Sequence, residues 1–177
     1  MTEKNLLAGF KFFSDAAPDA LEMIAQKVEV LELEPEDVIF HYKEPAEHFY
    51  GLLKGEVDLS IVFTDSVLKT DIEYEESIQA SLVEEEKWIV VDTVYPGQVF
   101  GWASLVGPGH RTVTAQCTEP SRVIAIPAAE LKTMLADDHS LGYMIMTKLS
   151  NIISNRLKVR TDKLIETWVE AFDADKI

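Results

Sequence analysis

Residues 96–115 read PGQVFGWASLVGPGHRTVTA, and the fold turns on how that stretch is understood. It ends one apolar run, breaks at Phe100-Gly101-Trp102, passes through Gly107-Pro108-Gly109 and offers Arg111 before alternation resumes. Clustered Gly and Pro between alternating segments mark a turn, not a helix interior. Such a break is either a plain loop or a cradle for a ligand, and the flanking chain decides between them.

On both sides the hydrophobic period is two. Val57, Leu59, Ile61 and Phe63 alternate with Asp58, Ser60 and Val62, which suits a strand with one buried face. Similar runs occur at 28–33, 38–42, 48–53, 88–95, 111–117 and 122–126, punctuated by turn residues such as Lys54-Gly55 and Pro96-Gly97. Short strands at this spacing indicate a β-sandwich or jelly roll. Leu21, Ile24, Ala25 and Val28, with Pro18 ahead of them, predict a short helix over 18–28. After Pro127 the period returns to about 3.6. Leu131, Met134 and Leu135 mark a short helix, and Leu141, Ile145, Leu149, Ile152 and Ile153 a longer one. Beyond it Leu157, Thr161, Leu164, Trp168 and Ala171 step by four and three, a coiled-coil spacing. The expected fold is mainly β with flanking helices: a double-stranded β-helix (jelly roll) with a long C-terminal helix.

The expected organisation is a β-roll with an N-terminal helix over 1–139 and a C-terminal helix over 140–177, its 140–172 stripe pairing with a second copy. Residues 65–87 form an acidic insertion with eight carboxylates and two lysines. Leu68, Thr70, Ile72 and Tyr74 alternate as in a protruding ribbon, whereas Ile78, Leu82 and Val83 suit one helical face. Both readings stay open.

Thirty-one acidic against 16 basic residues leave a net charge of −15, which repels phosphate backbones and anionic lipid. No apolar run is long enough to span a membrane, and the N-terminus lacks the pattern of a signal peptide, so a cytoplasmic protein is expected. The single cysteine, Cys117, lies in an alternating segment and reads as a buried, inert thiol. His41, His48, His110 and His139 are scattered, without the His-x-His spacing of a cupin-like metal enzyme. No Ser-His-Asp or Cys-His grouping stands out, and no enzymatic activity is expected.

In order and spacing, several segments together resemble the cyclic nucleotide-binding domain family. They are Leu7–Phe13, Leu53-Lys54-Gly55-Glu56-Val57, Pro96–Gly101, Arg111–Ala115 and Asn155–Leu164. The resemblance covers nearly the whole chain. It implies the jelly roll of that type and a sensor role, with cyclic AMP or cyclic GMP as possible ligand. Phe100-Gly101 would lead into a one-turn helix whose N–H groups, at Ala103 and Ser104, aim at the cyclic phosphate. Arg111 and Thr112 would complete the cradle with a charge-assisted contact. The segment around Arg156 resembles the dimer helix of catabolite activator proteins. There Arg160 would stack on the base, and Thr161 would either hydrogen-bond a purine edge or set helix register as a seam residue.

Trp102 departs from the pattern. The family cassette reads Phe-Gly-Glu, and the Glu accepts from the ribose hydroxyl; an indole has one donor and no acceptor. Losing that partner costs roughly 1–3 kcal/mol, and the ring fills ribose space. The resemblance then implies weak nucleotide binding, another small anionic ligand, or a pocket plugged by Trp102. The chain ends 21 residues after Arg156, too few for the helix-turn-helix of the family's transcription factors, so DNA binding is not expected. The leading expectation is a non-catalytic sensor module that takes a small phosphate-bearing ligand and signals to an unknown partner protein. The alternative is an interaction scaffold with a degenerate pocket.

Overall fold

In a computed structural model, residues 3–72, 78–107 and 109–174 are described, with side chains over 6–64, 86–107 and 109–172. The chain opens with α1 (Glu3–Ala8), a 3-10 turn (Lys11–Phe13) and α2 (Pro18–Ala25). Eight strands follow: β1 (Glu29–Leu33), β2 (Val38–Phe40), β3 (His48–Lys54), β4 (Val57–Ile72), β5 (Ile78–Val94), β6 (Val99–Phe100), β7 (Thr114–Cys117) and β8 (Ser121–Pro127). The chain closes with α3 (Ala128–Asp137) and α4 (His139–Ala174).

The strands make two four-stranded antiparallel sheets, ordered β1-β8-β3-β6 and β2-β7-β4-β5. This is a jelly roll with flanking helices. Alternation drives the pairing: inward residues Val57 and Leu59 of β4, Ala115 and Cys117 of β7 and Val123 of β8 are all buried between the sheets. The β3–β4 turn needs Gly55, at φ +94°, because a Cβ there would collide with Ser121. A second apolar cluster lies outside the roll. There Leu7, Phe10, Phe13, Ile24 and Phe49 meet Leu131, Leu141, Ile145 and Leu149 of the C-terminal helices.

Between strands 4 and 5 the ribbon reading holds. Pairing runs from Val57↔Val94 out to Ile72↔Ile78, with a bulge at Leu59/Ser60. β7 accompanies β4 only as far as Ser60↔Thr114, so the rest is a two-stranded ribbon. Its tip, 73–77, and Pro108 of the Gly107-Pro108-Gly109 stretch lie outside the described residues. Two expected strands are shorter than their patterns: 38–42 stops at Phe40, and 111–117 starts only at Thr114.

Helix α4 is set against α3 at a sharp break. Asp138 is extended, and its Oδ1 accepts from the N–H groups of Ser140 and Leu141 at 2.9 and 3.0 Å, capping α4. Leu141, Ile145 and Leu149 then bury one stripe in the core. Past Arg156 the apolar stripe is exposed: Leu157, Leu164, Trp168 and Phe172 all stand more than half open.

Candidate functional site

The break at 100–102 becomes a strand end followed by a turn. Phe100, fully buried on β6, stacks on Tyr50 with ring centroids 5.2 Å apart and anchors the segment from below. Gly101 then turns left-handed at φ +74° and starts the one-turn helix Trp102–Ser104. The Ser104 N–H, expected to face a ligand, instead donates to Gly101 O at 3.1 Å and closes that turn. Its hydroxyl is buried without a hydrogen-bond partner.

Arg111 is drawn inside, and its backbone pairs with Lys43 and Glu44 ahead of the strand that starts at Thr114. Only 3% of Arg111 is exposed. Nη1 donates to Gly101 O at 3.0 Å and Nη2 to His48 O at 2.8 Å. The guanidinium lies 4.1 Å from the centroid of the Phe40 ring and 5.3 Å from that of Tyr50. Nε is buried with no hydrogen-bond partner. Burial lowers the Arg111 pKa, and Glu44 and Glu47 partly offset it by favouring the cation. Tyr50 is pushed up by burial, against the pull of Arg111.

Gly101, Trp102, Ala103, Arg111, Thr112 and Arg160 converge on one cavity of about 70 Å³. Phe40, Leu59, Val113 and Arg156, absent from the sequence-level site, complete its walls. The signal for Arg156 was its i, i+4 spacing from Arg160, which sets both on one side of α4. Arg156 faces the Trp102 ring at 5.6 Å and pairs with Asp92, Nε to Oδ2 at 3.0 Å. That approach is a charge contact, since Oδ2 receives no directed hydrogen bond. Burial lowers the Arg156 pKa; Asp92 counters this and Arg160 adds to it. Thr161 does not reach the cavity: its hydroxyl donates to Leu157 O one turn back, at 2.9 Å.

Three guanidinium groups therefore line one small, partly enclosed space, with one carboxylate, Asp92, against Arg156. Among the described residues, no group of three His, Cys, Asp or Glu side chains is placed to hold a metal ion. No described helix is long and apolar enough to cross a membrane.

Comparison with known proteins bears on the sequence family and the fold. A family model described as the cyclic nucleotide-binding domain matches residues 77–138. Sequence comparison with curated proteins gives no match. Among solved structures, one from Geobacter metallireducens GS-15, assigned to the cyclic nucleotide-binding proteins, is similar at 26% identity, TM-score 0.65, over 89% of this chain and 98% of that one. A cyclic nucleotide-binding domain from Methylobacillus flagellatus KT is 14% identical, TM-score 0.65, over 94% and 82% of the two chains. The regulatory domain of Toxoplasma gondii PKA, crystallised with cAMP, is 13% identical, TM-score 0.58, over 84% and 49%. Residues 77–138 thus match the cyclic nucleotide-binding domain family by sequence, and the chain shares the fold of the solved structures it resembles.

Proposed function

We propose that this chain is a non-catalytic regulatory module whose modified cassette takes a phosphate-bearing ligand phosphate-first, and which passes occupancy to α4. The observation that carries this reading is the shared lining of one cavity of about 70 Å³ by Arg111, Arg156 and Arg160. In a chain of net charge −15, such a cluster is a local anion site. A cavity of that size holds roughly two waters at about 30 Å³ each. It therefore admits a phosphate group but not a nucleoside, since ligand pockets commonly run to about 300 Å³ or more. Cyclic AMP, present in the Toxoplasma relative, and cyclic GMP remain candidate ligands whose ribose and base stay outside until Trp102 moves.

The readout is α4, because Arg156 and Arg160 belong to it and their charge is what a bound anion would neutralise. Leu157, Leu164, Trp168 and Phe172, exposed on its far half, support a homodimer seam, with Thr161 on the same stripe. A second reading, the interaction scaffold with a degenerate pocket, is favoured by one contact set. Both Arg111 end nitrogens are already engaged by His48 O and Gly101 O.

Calorimetry with inorganic phosphate and with cyclic AMP, at fixed salt, separates the two. The sensor reading expects phosphate to bind, and Arg111→Ala or Arg156→Gln to weaken it about tenfold or more, the worth of a charged hydrogen bond. Arg156→Gln leaves the His48 and Gly101 contacts intact, so a folding defect in Arg111→Ala would not blur the result. No heat with either ligand, or equal binding in both variants, would favour the scaffold.

A further inference from the structure

A larger groove lies beside the cassette and plays no part in that reading. It has about 620 Å³ between α4, the 3-10 turn at Lys11–Phe13 and the turn joining β5 to β6. That volume is within the range of small-molecule sites. Its floor is apolar, with Phe12 and Val99 buried and Ile152 half-buried. Polar side chains stand around it: Gln98 from the turn, and Asn151 and Asn155 from successive turns of α4.

The charge of the groove is uneven. Lys148, at one end, has all three of its donors engaged, by Asp15 at 2.8 Å, Lys11 O at 2.7 Å and Ser14 Oγ at 2.8 Å. At the other end Arg156 has Asp92, while Arg160, exposed, makes no salt bridge among the described residues. The two guanidiniums are near enough to oppose each other's charge. Arg160 thus places a positive charge without a salt bridge at this end of an apolar trough rimmed with amide side chains, while Lys11, likewise without a salt bridge among the described residues, lies at the Lys148 end.

The groove also stays open if α4 dimerises. At about 100° per residue, the face carrying Ile152, Asn155, Arg156 and Val159 lies roughly 150° from the one carrying Leu157, Leu164 and Trp168, with Arg160 between them, roughly 60° from the latter. One face of the helix is free for self-association while the other walls the groove.

We propose that this groove is a second ligand site, for a small organic anion with an apolar body. The body lies on Phe12, Val99 and Ile152, and the anionic group meets Arg160 with Asn155 beside it. The site does not require an occupied cassette. Because Arg156 and Arg160 line both cavities, an anion in the groove acts on the same α4 residues as one in the cassette.

The test uses the full chain and 1-anilinonaphthalene-8-sulfonate, a sulfonate on an apolar aromatic body whose fluorescence rises in an apolar site. Saturable binding at one probe per chain is expected. Asn155→Trp, which sets an indole in the groove, and Arg160→Gln should each weaken it about tenfold or more. N-phenyl-1-naphthylamine, the same body without the sulfonate, should bind at least about tenfold more weakly than the sulfonate. Leu164→Ser, on the far face of α4, should leave the probe's affinity unchanged. Probe affinity unaltered by Asn155→Trp and Arg160→Gln, or equal for the neutral analogue, overturns the proposal. A loss in Leu164→Ser equal to that in Asn155→Trp also overturns it, by moving the probe to the exposed seam. Failure of phosphate to bind the cassette, with these results intact, would leave the groove standing.

Discussion

Gly101 and Arg111 are fitted to each other: the carbonyl of Gly101 accepts from Arg111 Nη1 at 3.0 Å, and a Cβ at Gly101 would lie 2.9 Å from that same nitrogen. The ring of Tyr50 is as close on another side, and the backbone is left-handed at φ +74°. An alanine there meets both a strained conformation and two close, buried side chains. Gly101→Ala should therefore lower stability by about 1–3 kcal/mol, with the urea midpoint falling and the slope unchanged. A midpoint equal to wild type would mean that the guanidinium is not held in this place.

The exposed half of α4 sets a second expectation. Leu164 and Trp168 are 58% and 59% open, too much large apolar surface on one stripe to leave wet without consequence. Sedimentation should give twice the chain mass for the wild-type protein. Leu164→Ser combined with Trp168→Ser should give a single-chain mass, with the near-ultraviolet spectrum of the roll retained apart from the lost indole. A wild-type monomer at tens of micromolar would remove the seam.

Two buried acids give the protein an alkaline limit. Burial raises the Cys117 thiol above its ordinary 9.0, and Asp37 adds to this while Ser121 opposes it. Burial likewise raises Tyr50 above 10.0. Each group holds its proton more tightly folded than unfolded, so the unfolded chain releases protons first as pH rises. Their stabilising contribution is complete below about pH 9 and declines as pH climbs through the raised folded values. Urea midpoints measured from pH 8 to 10.5 should fall, and Cys117→Ala should flatten the earlier part of that decline. Iodoacetamide should label Cys117 only as the chain unfolds. A flat profile, or rapid labelling of the native protein, would contradict the buried placement.

The strands and helices were legible because their signals are local. Val57, Leu59 and Ile61 alternate whatever their partners, and Leu141, Ile145 and Leu149 mark one helical face on their own. β6 escaped notice because two residues carry no period, and its strand character comes from pairing with Tyr50 and Gly51. The fate of Arg111 was hidden for a related reason. Phe40, His48 and Tyr50, which draw its guanidinium inward, lie 61 to 71 positions earlier in the chain. The acidic ribbon was ambiguous because Leu68, Thr70, Ile72 and Tyr74 alternate while Ile78, Leu82 and Val83 keep a helical spacing; long-range registry with β4 decides it.

Trp102 offers the sharpest test of why the cassette is small. Its ring lines the cavity and carries the Arg156 guanidinium at 5.6 Å, so the indole occupies space and fixes a charge at once. Trp102→Glu removes the bulk and sets a carboxylate beside Arg156 and Arg160. In a short helix Glu forms at least as readily as Trp, so the backbone cost is small. Part of the new acceptor is drawn toward those guanidiniums, which still leaves it at the mouth where a ribose hydroxyl would stand. The variant should therefore bind cyclic AMP about tenfold to a hundredfold better than wild type, the range of one recovered buried hydrogen bond. Inorganic phosphate, whose site needs positive charge, should bind more weakly to the same variant. That opposite movement distinguishes a reshaped ribose site from a general loosening of the cavity. Calorimetry of both ligands on both proteins at equal salt gives the answer: if cyclic AMP gains nothing, Arg111 and its two carbonyl partners close the cassette, and Trp102 does not.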